Sequence, residues 1–274
     1  MTVGTTAWSG SAKSMEASVC VDLLKDTHSE EHRVKCVVMD DDTTTLAHIR
    51  KEYDPDITKW SDINHAKKSL TNSLYSLAKT HKKISSKVIG YFKKCYSYVL
   101  AQNKNDEVSV QKGLRSIIPH VFGDNSSCGS WCGFLKHGAA YRYTSLPRGQ
   151  CLSGDDMKIA LSKIFELHAL NASRLAPLGS TKCNESFNNI VASKAPKYRH
   201  YSTSESFDFR LGAAVSQKNI GHGYLMDVYE ENTLSPGKTL ANVTESLKKK
   251  KSQKRKSREY SRNFKRRRLE LKEN

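Results

Sequence analysis

The segment that most restricts the fold is Val34-Lys-Cys-Val-Val-Met39, an apolar run rich in β-branched residues that ends abruptly in Asp40-Asp41-Asp42. A run this short reads as a strand, because branched side chains pack well on a pleated surface and lose rotamer freedom in a helix. Thr43-Thr44-Thr45 follows and supplies N-cap chemistry for a helix through Arg50. Upstream, Val19, Leu23 and Leu24 recur at helical spacing within Ser14–Asp26, with Met15 on a neighbouring face. The order helix, strand, acidic loop, helix predicts an α/β domain whose site lies where its strands end.

Beyond this unit the pattern turns helical. Lys59–Asn103 reads as helix, with one stripe of Ile63, Leu70, Leu74 and Leu77 and another of Val88, Ile89, Phe92, Tyr96 and Val99. A helix over Val108–Ile118 is expected to stop at Pro119, and Gly123–Gly154, rich in Gly, Ser and aromatic residues, reads as irregular. Further helices are expected over Asp155–Leu170, Asn184–Ser193 (closed by Pro196) and Ser206–Lys218. No internal repeat is visible.

Composition narrows the function class. With 37% hydrophobic residues the chain can bury a core. It has no apolar run of the roughly 18–20 residues that would span a bilayer. Met1–Met15 lacks a signal-peptide core, so an intracellular protein with no membrane partner is expected. Seven cysteines, an odd number, argue against a disulfide framework. Of the net charge of +17, +11 falls on Lys248–Asn274, where 14 Lys/Arg face three Glu. Nucleic acid is the expected polyanionic partner.

Three elements carry candidate chemistry, each with a plainer alternative. The acidic triplet suits a hard divalent cation, but also reads as a solvated loop with a helix cap. Glu185, in Asn184-Glu-Ser-Phe-Asn-Asn189, is placed to ligate a metal or simply to oppose a helix dipole. Asp62 and His65 stand at i, i+3, as a pair that orients a ligand or as an ordinary surface pair. Cys128-x-x-x-Cys132, between His120 and His137, follows no established zinc spacing, and Trp131 between the cysteines points to packing; zinc is not expected.

In this order the three elements resemble the Mutator-like transposases, as found in animals. Trp8–Glu16, Lys59–Asn64, Ser193–His200 and Phe207–Arg210 add to the resemblance, which runs over about residues 8–240. It implies an RNase H-like core with an Asp-Asp-Glu triad, a mostly helical insertion and a Cys/Asp-x-x-His element. Carried over, the second Asp is Asp41, with Asp40 as second choice, the Glu is Glu185, and the Asp-x-x-His element is Asp62 and His65. Mg²⁺ or Mn²⁺ would be the cofactor, and transposon terminal-inverted-repeat DNA the partner. Lys194, Lys197, Arg199, His200 and Arg210 would contact its backbone, and homo-oligomers are expected.

No strand bearing a first Asp precedes Ser14, so the chain reads as an N-terminally truncated, partial core. Two-metal strand transfer is then not expected from it alone, and a non-catalytic or domesticated nuclear DNA-binding protein is the alternative. The implied organisation is a disordered start over 1–12, the first part of the core over 13–58 and a helical insertion over 59–172. The Glu-bearing helical part spans 173–235 and a disordered basic tail 236–274. In that tail, Lys248, Lys249, Lys250, Lys251, Lys254, Arg255 and Lys256 form one basic cluster, and Lys265, Arg266, Arg267 and Arg268 a second. The pair reads as a bipartite nuclear import signal, which implies an import receptor and a nuclear location.

Overall fold

The computed structural model describes residues 12–40, 42–129, 132–201 and 205–273, with side chains over 14–40, 42–129, 132–201 and 205–263. The chain divides into two compact units, Met1–Thr181 and Lys182–Asn274. The first combines a small two-stranded α/β layer with a larger helical core. No helix among the described residues is long and apolar enough to cross a membrane.

The α/β layer is built from α1 (Ala12–Ser29), β1 (Cys36–Met39), α2 (Thr43–Glu52) and β2 (Thr58–Ser61). β1 and β2 pair in parallel, Cys36 opposite Thr58 and Met39 opposite Ser61. The α2 crossover is what parallel pairing requires, since a tight turn cannot return the chain in the same direction. Val21, Leu24, Leu46, Ile49 and Ile57 close the core of this layer. On α1 the buried face is Ala17, Val21 and Leu24, whereas Val19 and Leu23, expected on the inward stripe, are 46% and 61% exposed. Periodicity identified a helix but could not tell which of two adjacent apolar faces α2 would cover.

β2 was not anticipated: Lys59–Ser61 lies in a stretch read as helix. Alternation explains it, since Lys59 and Ser61 are buried while Thr58 is exposed and Trp60 half-buried, a period of two rather than 3.6. The helix begins only at Ile63.

The helical core comprises α3 (Ile63–Thr80), α4 (Ser86–Gln102), α5 (Glu107–Val121), α7 (Asp155–Leu170) and α8 (Ala172–Leu175), with a short α6 (Gly133–His137). Leu70, Leu74, Val88, Phe92, Tyr96, Leu114, Ile117, Leu161 and Phe165 are its centre, so the expected stripes of α3 and α4 face inward. Helix α5 runs through Pro119 to Val121 instead of stopping before it. A proline in the last turn forfeits one hydrogen bond, and the Phe122 N–H still bonds Ile118 O and Pro119 O there. The described residues of 122–154 are largely irregular apart from α6 and two single 3₁₀ turns, and Trp131, expected to pack between the cysteines, lies outside the described residues.

The second unit contains α9 (Lys182–Lys194), α10 (Ser206–Asn219), α11 (Tyr224–Glu231) and α12 (Gly237–Glu273). The last corrects the expectation of a disordered tail: one helix of 37 residues spans it. Lys, Arg, Gln, Glu and Leu are all good helix formers, and neither Gly nor Pro follows Gly237. Glu245 and Lys249 pair at i, i+4 (2.7 Å), in the favourable orientation. Thr244 is buried near its start, whereas the described side chains from Glu245 onward are largely exposed.

Candidate functional site

Parallel pairing carries the ends of both strands to one edge of the sheet, and the acidic residues gather there. Asp40 directly follows β1 and Asp62 directly follows β2, with the Asp62 N–H donating to Met39 O at 3.3 Å. Asp42 is the N-cap of α2: Oδ1 accepts from the Thr44 and Thr45 N–H groups and Oδ2 from the Thr45 hydroxyl at 2.6 Å. Both of its oxygens are thus engaged within the turn. Asp41 lies outside the described residues.

Asp62 is only 1% exposed yet ionised in character. Its Oδ1 caps α3 by accepting from Asn64 N and His65 N at 2.7 and 2.9 Å. Its Oδ2 accepts from the N–H and hydroxyl of Thr181, 119 positions away, at 2.7 and 2.9 Å. Burial alone would push this carboxyl's pKa up; the hydrogen bonds from Thr181, His65 and Asn64 outweigh it and hold the group below the usual carboxylate range. Gly179 adds a second tie, since its carbonyl accepts from Ile63 N. A Cβ on Gly179 would stand 2.8 Å from Val38 Cγ1 and 3.1 Å from Ser61 O, so the chain before Thr181 lies directly against the strand ends.

The imidazole of His65 does not reach the Asp62 carboxylate, to which His65 is joined through its backbone N–H. Its Nδ1 lies 3.0 Å from Asp40 Oδ2, with both side chains about half exposed. The pairing expected within Asp-x-x-His therefore crosses from α3 to the end of β1. Asp40 gains a partner that a spacing argument could not supply.

Glu185 is exposed in the first turn of α9, four residues beyond Thr181 in the chain. In the same unit, two expected DNA contacts turn inward. Arg210 donates to the Lys194 carbonyl and to Ser206 Oγ, and its guanidinium lies 4.4 Å from the Tyr201 ring centroid. Lys194 Nζ bonds Tyr224 OH at 2.9 Å. Lys197, Arg199 and His200 lie exposed after α9. On α12, Lys250, Lys251, Lys254, Arg255, Arg258 and Arg262 line one stretch of surface; the side chains of Lys265–Arg268 lie outside the described residues.

Among the described residues, one group of three side chains of metal-binding type is found, and it is elsewhere: His120, Cys128 and Cys132, their donor atoms all within 4.8 Å of one another. Burial pushes the His120 pKa down against a supporting bond from Asn125. Burial and the neighbouring Cys132 push Cys128 up to about 12. Sequence spacing gave no zinc template here; the structure nonetheless assembles the group, and Asn125 and Thr181 are the two polar partners that no motif signalled.

Residues 5–132 match the family model of the Mutator-like transposases. The match takes in Asp40, Asp41, Asp62 and His65 and ends before Glu185. No curated protein and no solved structure matches the chain.

Proposed function

From the match of residues 5–132 to the Mutator-like transposase family model, we propose that the chain is part of a transposase catalytic region, whose chemistry is metal-dependent cleavage and transfer of transposon-end DNA, with strand transfer not expected from this chain alone. The observation that carries the reading is the convergence of Asp40, His65 and the buried Asp62 at the carboxyl edge of a parallel strand pair, where α/β sheets place their sites. In this reading the sheet is part of an RNase H-like core. The donor chemistry fits a hard cation: Asp40 and Glu185 are exposed carboxylates, and neither serves as a helix cap as Asp42 does. Asp41, Asp40 and Glu185 would hold Mg²⁺ or Mn²⁺, which supplies charge stabilisation at the attacking and leaving oxygens of a phosphodiester.

The chain's own residues orient and support. His65 holds one oxygen of Asp40, whose side chain is half exposed. Asp62 is a positioning residue: it fixes the start of α3, and hence His65, and it holds Thr181. Lys197, Arg199 and His200 offer exposed donors to phosphates, whereas Lys194 and Arg210 tie α9 to α11 and α10. The basic face of α12 adds nonspecific backbone affinity and a nuclear import signal.

The test is Mg²⁺- or Mn²⁺-dependent nicking of terminal-inverted-repeat DNA by the full chain, with Glu185→Gln beside it. Whatever nicking the chain supports by itself should fall about a hundredfold or more in the variant, on the scale of removing a group that stabilises transition-state charge. Equal cleavage by both chains would remove Glu185 from the site. A second reading, a nuclear DNA-binding protein derived from a transposase, is favoured by the exposed basic face of α12. It is chosen if both chains bind duplex DNA with steep salt dependence and neither cuts it.

A further inference from the structure

We propose that His120, Cys128, Cys132 and Asn125 form a zinc site that clips the irregular segment after α5 onto the helical core. His120, on the last turn of α5, places Nδ1 3.5 Å from Cys128 Sγ and 3.6 Å from Cys132 Sγ. Asn125 Oδ1 lies 2.7 Å from the same nitrogen, 3.8 Å from Cys128 Sγ and 3.5 Å from Cys132 Sγ. Four donor atoms of three elements thus stand at the corners of a small cage. A tetrahedral zinc ion with bonds of about 2.0–2.1 Å to nitrogen or oxygen and about 2.3 Å to sulfur separates neighbouring N and S donors by about 3.5 Å. Three of the four nitrogen–sulfur and oxygen–sulfur edges of this cage lie within about 0.1 Å of that value and the fourth within about 0.3 Å. The short Asn125–His120 edge is the hydrogen bond that a ligated Nδ1 would exchange for the metal.

The surroundings are those of a built site. His120 is 3% exposed, Asn125 7% and Cys132 fully buried. The Asn125 amide nitrogen donates to Gly123 O and Tyr143 OH, which turns its oxygen toward the cysteines. Tyr141 and Tyr143 flank the imidazole, with ring centroids 6.4 and 5.4 Å away. His120 also walls a cavity of about 300 Å³ beside α4. Binding would release the two thiol protons to water and, as Nδ1 exchanges its bond to Asn125 Oδ1 for the metal, shift the single imidazole proton from Nδ1 to Nε2 by exchange with water. The charge of Zn²⁺ is then balanced by two thiolates, which removes the cost of burying a net charge. Both cysteines are unpaired thiols here. A long segment with little regular structure is hard to order by packing alone, and a metal clip supplies what its backbone lacks.

The experiment is metal analysis of the full chain purified under reducing conditions from zinc-supplemented culture. About one zinc per chain is expected, kept in Cys151→Ser and reduced at least about tenfold in Cys128→Ser and Cys132→Ser, as for loss of a direct ligand. Because such variants can unfold, Co²⁺ is also titrated into metal-free wild type. Thiolate-to-cobalt charge-transfer absorption with tetrahedral visible bands is the expected result. A folded wild-type chain that carries no zinc and gives no such bands overturns the proposal. So does recovery of a Cys128–Cys132 disulfide from the reduced preparation, or zinc retained in the Cys128→Ser/Cys132→Ser double variant. Zinc content unchanged in Glu185→Gln is expected, so this site stands or falls apart from the proposed DNA chemistry.

Discussion

Replacing Asp62 by alanine should cost the fold about 3–5 kcal/mol, far more than an exposed helix cap. The cap itself, Oδ1 with the Asn64 and His65 N–H groups, is worth about 1 kcal/mol. The two bonds from Thr181 to Oδ2 are charge-assisted and shielded from water, at about 1.5–3 kcal/mol each. The total is lower than their sum because the Thr181 hydroxyl can turn to another partner, whereas its N–H cannot. Asp62→Asn keeps the Oδ1 acceptor but sets an amide donor against the Thr181 N–H, so about 2–3 kcal/mol of the loss should persist.

The assay is urea unfolding at pH 7 followed by far-ultraviolet circular dichroism, run as a double-mutant cycle with Thr181→Val. A coupling of at least about 1 kcal/mol is expected for residues in direct contact. The pH dependence has a defined sign. The folded-state pKa of Asp62 is depressed, so its stabilisation is fully present above the unfolded carboxylate value of about 4. It is lost as pH falls through the lower folded value. The Ala variant should therefore show a shallower acid limb. A cost under about 1 kcal/mol, or strict additivity with Thr181→Val, would refute the positioning role. A Mg²⁺-dependent rise in the wild-type midpoint that Asp62→Asn abolishes would point to direct ligation instead.

Gly179→Ala should destabilise by about 1–3 kcal/mol in the same assay, because its Cβ would meet Val38, Ser61 and the Trp60 Cβ at 2.8, 3.1 and 3.3 Å. Gly90→Ala, in the second turn of α4 with open space around it, should instead stabilise by up to about 1 kcal/mol, so the pair separates crowding from helix propensity. Deleting Lys248–Asn274 removes +11 of charge. The slope of log affinity for duplex DNA against log salt should become shallower, since fewer counterions are released. The same deletion should move a fluorescent fusion out of the nucleus; an unchanged distribution would end the import reading.

Local chemistry made much of the secondary structure legible. Helix α7 spans Asp155–Leu170, as expected, because Gly154 precedes it, two acids fill its first turn and Asn171 ends it. Phe92 and Tyr96 turned inward as their spacing required. The strand–Asp–helix unit also followed from sequence, since β-branched residues and caps act over a few positions, although the cap is Asp42 and the threonines expected to supply it fill the first turn. β2 did not, because four residues between a Pro-containing turn and a strong helix carry too few periods to reveal alternation. For α12, charge density suggested disorder while helix propensity carried the segment the other way.

The candidate site divides along the same line. Sequence by itself determined that acids follow a strand, that Asp62 and His65 share a turn, and that Glu185 opens a helix, because each depends on neighbours within one or two turns. Only the tertiary structure decided what those groups bind. Parallel pairing of β1 with β2 sets His65 against Asp40 rather than against the Asp62 carboxylate. The return of the chain at Gly179–Thr181 makes Asp62 a buried tie across 119 positions. The packing of the segment after α5 gathers His120, Asn125, Cys128 and Cys132, whose spacing matches no template. Hydrogen bonds and metal cages depend on distances in space, and spacing reports those distances only inside one regular element.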